Sequence, residues 1–326
     1  MEPADPRKIA IQNEARRLGF DAVGFARADV PLDTDHAHYL KFVQEGMHGD
    51  MSFLAEHAEA RRTLDADSIL LGAKTVICLA RSYRRSREDE ASDPPFAKKI
   101  ARYARGKDYH AFVRRKLRKL AEFVRKVEPG VEARPTSDTA PILERAWAAR
   151  SGIGFVGKNG LVIVPGTGSM LLLGEIVTTL DVPADTPMTE RCGTCTRCLD
   201  ACPTKAFPKP FVLDPRKCIS YWTIEARSPM PEEIRARLGD HLFGCDDCQT
   251  VCPFNAAKAQ RAENAAPFQP LERWNETSLE TIATLREEEW EDFSRGTPLR
   301  RATFEGLKAN AESALREETG GPKTGT

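Results

Sequence analysis

The spacing of apolar and polar residues predicts helices that alternate with strands over about the first 180 residues. Apolar residues recur at helical intervals in four segments, and short β-branched runs bounded by Gly, Pro or polar residues indicate strands. This alternation is typical of an α/β (α+β) domain. The predicted elements are helices over 5–18, 34–44, 109–126 and 141–150, strands over 21–26 and 74–83, a polar linker over 84–95, and a hairpin of 161–164 with 170–178 around a Pro-Gly-Thr-Gly turn.

Eight of the nine cysteines form one doubled pattern in the second half of the chain. The first four follow C-x2-C-x2-C-x3-C before Pro203, and the last three follow C-x2-C-x3-C before Pro253. Two-cluster bacterial ferredoxins use this run, and the fourth cysteine of each run binds the other cluster. The second run lacks its first cysteine, which Cys218 can supply. One 4Fe–4S cluster would take Cys192, Cys195, Cys198 and Cys252, and the other Cys202, Cys218, Cys245 and Cys248.

Zinc and disulfides are the alternatives for these thiols. Two zinc sites also need eight such ligands, and C-x2-C pairs occur in zinc ribbons, but the spacing and the prolines favour cubanes. Disulfide frameworks are typical of small secreted domains, whereas this chain has 326 residues. The ninth cysteine, Cys78, lies in an apolar run, so we expect it to be a buried strand residue.

The length allows two or three domains. We expect an α/β domain over 1–188, a ferredoxin-like module over 189–256, and a helical C-terminal segment over 257–326 that ends in a disordered tail. The N-terminus shows no signal peptide and no apolar stretch could span a bilayer, so we expect a cytoplasmic protein with no membrane partner. The 48 basic and 48 acidic residues cancel, and the basic run over 98–126 is interpreted as a solvated helix face.

A glycine motif argues against one obvious cofactor. Gly152, Gly154 and Gly157 match G-x-G-x-x-G. Dinucleotide binding by this motif requires a strand before the glycines and a helix after them. Here a predicted helix precedes them and a strand follows, so we interpret the glycines as a helix-to-strand turn close to a ligand.

Two clusters beside a larger domain indicate a redox enzyme with a second cofactor or a reducible substrate. Asp138 and Glu144 are the candidate acids. Taken alone, Asp138 is better explained as a cap or turn residue of the helix that follows it.

The chain resembles the epoxyqueuosine reductases, which are cobalamin-dependent iron–sulfur enzymes of tRNA modification. The resemblance extends from about residue 6 to about residue 310, and we expect a short form without a HEAT-like C-terminal extension. It rests on the segments Arg105 to His110, Ser137 to Pro141, Gly152 to Phe155 with Lys158 and Asn159, Cys192 to Pro203, Cys218 to Ser220, and Gly244 to Pro253.

This resemblance implies the last step of queuosine biosynthesis, the reduction of epoxyqueuosine to queuosine at the wobble position of tRNAs with GUN anticodons (Tyr, His, Asn and Asp). It implies one cobalamin, bound base-off between the α/β domain and the ferredoxin-like module, together with two 4Fe–4S clusters, an external electron donor and a monomeric enzyme. Asp138 would donate a proton beside a cob(I)alamin nucleophile, and burial against the corrin would raise its pKa.

The resemblance also implies binding residues. The cobalamin contacts would be Arg62, Ala101, Asp138, Val162, Leu173, Ser220, Asp246 and Asp247. For Val162 and Leu173, plain core packing is an equally good explanation. The tRNA contacts would be Arg227, Arg295, Thr297, Arg300 and Arg301.

Two other functions stay open at this point. One is a reductive dehalogenase-like cobalamin enzyme with a small substrate, although the twin-arginine signal usual for exported members is absent from the sequence. The other is a non-catalytic iron–sulfur electron carrier, for which the large α/β domain would be superfluous.

Overall fold

The computed structural model describes residues 5–138, 140–256 and 266–318. The strands are β1 (Ala22–Arg27), β2 (Thr75–Ser82), β3 (Ala133–Thr136), β4 (Phe155–Val156), β5 (Val162–Ile163) and β6 (Leu171–Thr178). The α-helices are α1 (Pro6–Arg17), α2 (Asp33–Gln44), α3 (Arg87–Ala91), α4 (Pro95–Lys98), α5 (Tyr109–Val127), α6 (Glu144–Arg150), α7 (Arg197–Asp200), α8 (Glu232–Arg235), α9 (Asp247–Thr250), α10 (Leu279–Ala283), α11 (Glu287–Ser294) and α12 (Phe304–Glu318). The disordered tail predicted from Gly320 onwards lies outside the described residues.

The main sheet has the order β1-β2-β6-β3, and all of its neighbouring strands pair antiparallel. The predicted hairpin of 161–164 with 170–178 is therefore wrong. β6 pairs with β2 and β3, whereas β5 pairs with β4 in a separate two-stranded sheet. Only one bridge, Val164 with Gly168, closes the turn between β5 and β6, because β2 presents a longer apolar partner for β6 than β5 does.

Helices cover both faces of the sheet, which explains why every residue of β2 is buried. Ile77 and Leu79 face a core formed with α1 and α5, while Val76 and Cys78 face a core formed with α6. Successive strand residues point to opposite faces, so an unbroken apolar run fits a strand buried on both sides. The prediction that Cys78 is a buried strand residue is confirmed, with 1% of its surface exposed.

α6 packs closely against β1, because a Cβ atom at Gly24 would lie 2.2 Å from the Ser151 carbonyl oxygen. This helix begins at Glu144 and not at Pro141 as predicted. The predicted polar linker over 84–95 contains α3 and part of α4, and it is held by a buried ion triad. Asp93 accepts hydrogen bonds from Arg85 at 2.7 Å and from Arg105 at 2.9 Å.

A third core joins α4, the segment around Phe243 and the C-terminal helices α10 to α12. Trp274 is fully buried in it and donates its indole N–H to the Arg105 carbonyl oxygen at 2.7 Å. The C-terminal segment therefore packs on the cysteine-rich module and on the 96–105 region. Within the described residues, every helix is too short or too polar to cross a bilayer.

Candidate active site and cluster ligands

Asp138 lies in a turn directly after β3 and adopts a left-handed backbone conformation, with φ +64°. Its backbone N–H donates to Glu144 Oε1 at 2.6 Å, and its Oδ2 lies 2.9 Å from His110 Nε2. Of the two structural explanations predicted for Asp138, turn residue agrees with the structure and helix cap does not, because α6 begins six residues later with Leu143 at its N-cap. A non-glycine residue at positive φ is uncommon, and Asp adopts this conformation more readily than most residues do.

His110 stands between two carboxylates. Its Nδ1 lies 2.7 Å from Asp108 Oδ1, and its Nε2 faces Asp138. Both carboxylates accept hydrogen bonds, so only the imidazolium can donate to both. The hydrogen bonds to Asp108 and then Asp138 raise the pKa of His110 to about 9. His110 ends the Arg105 to His110 segment of the family resemblance, but no role was predicted for it. The sequence feature that could have indicated a paired imidazole is Asp108, two residues before His110.

The pKa of Asp138 is lowered, first by the hydrogen bond from His110 and further by the charges of Arg301 and Arg114. The expected rise of this pKa requires burial against a bound corrin and stays a prediction, because 51% of the Asp138 side chain is exposed in the protein alone. The two pKa shifts favour an ionised Asp138 beside a protonated His110.

A cavity of about 220 Å³ opens beside Asp138. The predicted contacts Val162 and Leu173 both line it, from β5 and β6 respectively. Its full lining is Tyr109, Ser137, Asp138, Glu144, Arg145, Leu161, Val162, Ser169, Leu171, Leu172 and Leu173. The cavity thus combines apolar side chains from β5 and β6 with two carboxyl groups, those of Asp138 and Glu144.

The predicted contacts Ala101 and Asp246 lie together on the cysteine-rich side. The Ala101 N–H donates to the Phe243 carbonyl oxygen at 2.8 Å, and Asp246 accepts from the Arg102 N–H at 2.7 Å. Gln249 links Asp246 to the cavity, because it donates to Asp246 Oδ1 at 3.2 Å and accepts from the cavity residue Ser169 at 3.1 Å.

The remaining predicted cobalamin contacts differ in their surroundings. The Ser220 hydroxyl lies 3.5 Å from the Cys245 carbonyl oxygen, and Asp247 pairs with His241 at 3.3 Å. Arg62 pairs instead with Asp33 at 2.7 Å on the half-exposed surface, away from the residues that line the cavity.

The structure brings the eight cysteines of the doubled pattern close to one another, and the two predicted ligand groups stay a prediction. Four thiols, those of Cys192, Cys195, Cys198 and Cys252, line a second cavity of about 250 Å³. The other four are close enough to interact electrostatically, Cys248 with Cys218 and Cys202, and Cys245 with Cys218 and Cys248. All nine cysteines lie in the described residues, and none of them forms a disulfide. Cys248 also interacts with Cys198, so the two groups are neighbours.

Four of the five predicted tRNA contacts are exposed arginines that already have acidic or backbone partners. Arg301 pairs with Glu225 at 2.7 Å and Arg300 with Glu291 at 2.6 Å. Arg295 pairs with Asp292 at 2.8 Å, and Arg227 donates to the Arg301 carbonyl oxygen at 2.8 Å.

Thr297 differs from these arginines, because it is 1% exposed and its hydroxyl donates to the Ser294 carbonyl oxygen. Its burial argues against a direct contact with RNA. Arg301 is the member of the set whose charge acts on Asp138.

Comparison with known proteins gives consistent matches over the whole chain. Residues 64–139 match the family described as "Epoxyqueuosine reductase QueG, DUF1730", and residues 191–255 match the "4Fe-4S double cluster binding domain". The chain is 43% identical over 314 residues to an epoxyqueuosine reductase of Gloeobacter violaceus, covering 95% of this chain and 96% of that protein. It is 38% identical to the Pseudomonas aeruginosa enzyme, covering 94% of this chain and 84% of that protein.

Solved structures agree with these relatives. A crystal structure of epoxyqueuosine reductase with an epoxyqueuosine-modified tRNA-Tyr stem loop superimposes with a TM-score of 0.84 at 30% identity, covering 95% of this chain and 81% of that chain. The Streptococcus thermophilus epoxyqueuosine reductase gives a TM-score of 0.78 at 30% identity with the same coverage.

Proposed function

The chain belongs to the epoxyqueuosine reductase family, and we propose that it reduces epoxyqueuosine in tRNA with the help of one cobalamin and two 4Fe–4S clusters. The family assignment makes it an oxidoreductase of queuosine biosynthesis that acts on epoxyqueuosine-modified tRNA. The observation that carries the proposal is Asp138, held between His110 and Glu144 at the mouth of an apolar cavity next to two groups of four thiols.

The residues at the cavity fit a cobalamin. Val162 and Leu173 would pack on one face of the corrin, and Asp138 would face the substrate side. Ala101, Ser220 and Asp246 would contact its edge from the cysteine-rich module. Bound there, cobalamin would supply the strongly reducing centre that the removal of an epoxide oxygen requires.

The chain's own residues would handle the proton. The His110 imidazolium would pass its proton to Asp138 across the 2.9 Å contact, and Asp138 would pass it on to the epoxide oxygen. An ionised Asp138 beside a protonated His110 is a stable resting arrangement, because each charge stabilises the other. Asp108 would hold the imidazole ring in register for this transfer.

The two groups of thiols would bind the clusters as the spacing predicts. Cys192, Cys195, Cys198 and Cys252 would hold one cluster around their shared cavity. Cys202, Cys218, Cys245 and Cys248 would hold the other. Because Cys198 and Cys248 are neighbours, the two clusters would lie close enough to pass single electrons toward the cobalamin.

RNA would approach on the side of Asp138 where the charges of Arg301 and Arg114 act on it, and it would compete with Glu225 for Arg301. A chain without net charge must bind a polyanion through such a local patch, and its affinity should fall as salt rises. The related enzyme solved with a tRNA-Tyr stem loop supports this choice of substrate.

The decisive experiment is a single-turnover assay. Anaerobically reconstituted protein should carry about eight irons and about eight sulfides per chain, as two cubanes require, and bind cobalamin one to one. After reduction it should convert epoxyqueuosine in an anticodon stem loop to queuosine, and the Asp138→Asn variant should not. A fully loaded and reduced wild-type enzyme that left the epoxide intact would refute the proposal. Stoichiometric zinc in place of iron would refute the cluster assignment.

A further inference from the structure

A second carboxyl group shares the cavity with Asp138. Glu144 begins α6, lines the cavity and accepts the Asp138 N–H at 2.6 Å. In the described part of the chain it forms no ion pair. Its neighbour Arg145 donates instead to the Gly160 carbonyl oxygen. Glu144 is thus an acid inside the site that no ion pair holds in its ionised form, and the charge of Arg145 has a smaller effect on its pKa than burial does.

A third carboxyl group lies behind it. Glu175 on β6 is 0% exposed, and its Oε2 accepts from the Thr136 hydroxyl at 3.3 Å. Its Oε1 has no hydrogen-bond partner among the described residues. A buried carboxylate without a compensating charge is costly, so burial raises the pKa of Glu175 and favours its neutral form. Burial and the charge of Asp138 together raise the pKa of Glu144 to about 7.

The reaction itself requires two protons. Conversion of an epoxide to an alkene breaks both C–O bonds, forms one C=C bond, takes up two electrons and two protons, and releases one water. The first proton goes to the ring oxygen when the first C–O bond breaks and a hydroxyl group forms. The second proton goes to that hydroxyl when it leaves as water. The two electrons come from the reduced cofactor of the proposed function.

We propose that Glu144 is the second proton-carrying group of this site, which supplies the proton that the departing hydroxyl takes away, while Asp138 and His110 supply the first. The inference rests on the proposed function and deepens it. The Glu144 carboxyl group accepts the Asp138 backbone N–H at 2.6 Å, and both carboxyl groups line the same cavity, where they can reach the same oxygen in succession. His110 can return a proton to Asp138 across their 2.9 Å contact, whereas Glu144 would give up the proton that it already carries.

The competing role for Glu144 is purely positional, since its hydrogen bond holds the Asp138 turn in the left-handed conformation. Glu144→Gln separates the two roles, because a glutamine side-chain oxygen still accepts the Asp138 N–H but the amide carries no exchangeable acid proton. Glu122→Gln is the matched control, an exposed position on α5 outside the cavity. Both variants should keep wild-type iron content and thermal midpoint.

The first measurement is the pH dependence of the single-turnover rate. The ionisable groups that face Glu144 are Asp138, Arg145, Glu175, Tyr109 and Cys78. Both proton carriers must be protonated, so the wild-type rate should fall as pH rises through about 7 and fall again through about 9. Glu144→Gln should be slower by roughly 100-fold at pH 6 and lose only the lower step.

The second measurement needs neither substrate nor turnover. In infrared difference spectra, a protonated carboxyl signal should disappear as pH rises through about 7 in the wild type and in Glu122→Gln, and should be missing in Glu144→Gln. A wild-type rate and pH profile in Glu144→Gln would overturn the inference and leave Glu144 with the positional role alone. A missing infrared titration in the wild type would overturn it as well. Failure of the wild type to convert the stem loop would instead refute the proposed function.

Discussion

Replacing Asp138 by asparagine tests the proton chemistry while changing little else in the site. Asparagine has nearly the same shape and tolerates the left-handed conformation at φ +64°. Its backbone N–H can still donate to Glu144, and its side-chain oxygen can still accept from His110. The variant should therefore fold, hold both clusters and bind cobalamin. It loses only the negative charge and the acid proton.

The electrostatic part of the effect can be worked out from His110. A rise of its pKa from 6.5 to about 9 corresponds to roughly 3 kcal/mol at about 1.4 kcal/mol per pKa unit. Asp108 makes the larger contribution, and solvent screens the half-exposed Asp138. We therefore assign about 1 kcal/mol to Asp138. In Asp138→Asn the pKa of His110 should fall by roughly one unit and stay above 6.5.

The raised pKa of His110 also determines how the stability of the folded protein depends on pH. The pKa of His110 is higher in the folded protein than in the unfolded chain, so its pairing stabilises fully below pH 6.5 and is lost as pH rises through about 9. The thermal midpoint of Asp138→Asn should lie below that of the wild type at pH 7. The difference should shrink above pH 9.

The effect of Asp138→Asn on the catalytic rate should be much larger than its electrostatic effect on His110. Loss of a positioned acid lowers a rate by roughly 100- to 10,000-fold. Single-turnover conversion of an epoxyqueuosine stem loop measures the rate, and the imidazole proton signals of His110 in NMR measure its pKa. Asp108→Asn is the control, since it should lower the pKa of His110 further yet leave Asp138 in place. Wild-type turnover by Asp138→Asn would remove Asp138 from the mechanism.

Three further outcomes are expected. Cys218→Ala should halve the iron content, because it removes a thiol from the group with Cys202, Cys245 and Cys248 and leaves the four thiols of the second cavity intact. Loss of all iron or of none would contradict the assignment of the cluster ligands. Arg300→Gln with Arg301→Gln should weaken tRNA binding and its salt dependence without affecting cobalamin binding. Neutral replacements are preferable to charge reversal because Glu291 and Glu225 pair with these arginines, and unchanged tRNA affinity at moderate salt would place the RNA elsewhere. Gly168→Ala should lower the thermal midpoint more than Gly166→Ala does. Both glycines have positive φ, but only a Cβ atom at Gly168 would meet a neighbour, Asn255 Oδ1 at 2.0 Å. Equal effects would mean that the contact with Asn255 relaxes freely.

The fold could be predicted where local pattern and tertiary packing agree. α1, β1, α2, β2 and α5 lie within a residue or two of their predicted bounds, because each carries a strong helical or β-branched pattern. β3 was not predicted, since Ala-Arg-Pro-Thr has no strand signature, and it forms only because β6 offers a free edge. The pairing of β6 with β2 likewise joins strands that are far apart in the chain, so it could not be predicted from the short turn between β5 and β6.

In the candidate site, too, some residues could be predicted from local pattern and others depend on contacts that only the fold creates. The thiols could be grouped from spacing alone, because ferredoxin runs fix which cysteines share a cluster. Asp138 could be named only through the family resemblance. Its partners could not be predicted, because His110 lies 28 residues away on α5 and Glu144 lies at the start of α6, and only the fold brings these side chains to the Asp138 turn. The sign of the Asp138 pKa shift in the protein alone depends on the contact with His110, which the sequence does not reveal.

The two halves of the proposed machinery are held together by a buried polar contact that involves neither a cysteine thiol nor an acid. The Ser169 N–H donates to Asn255 Oδ1 at 2.8 Å, Asn255 Nδ2 donates to the Ser169 hydroxyl at 2.9 Å, and that hydroxyl donates to Gln249. Ser169 lines the Asp138 cavity, while Gln249 lies between Cys248 and Cys252, which belong to different thiol groups. Buried hydrogen bonds of this kind are costly to break, because each partner would be left without a substitute in the interior. These hydrogen bonds therefore hold the Ser169 wall of the Asp138 cavity against the segment that carries Cys248 and Cys252.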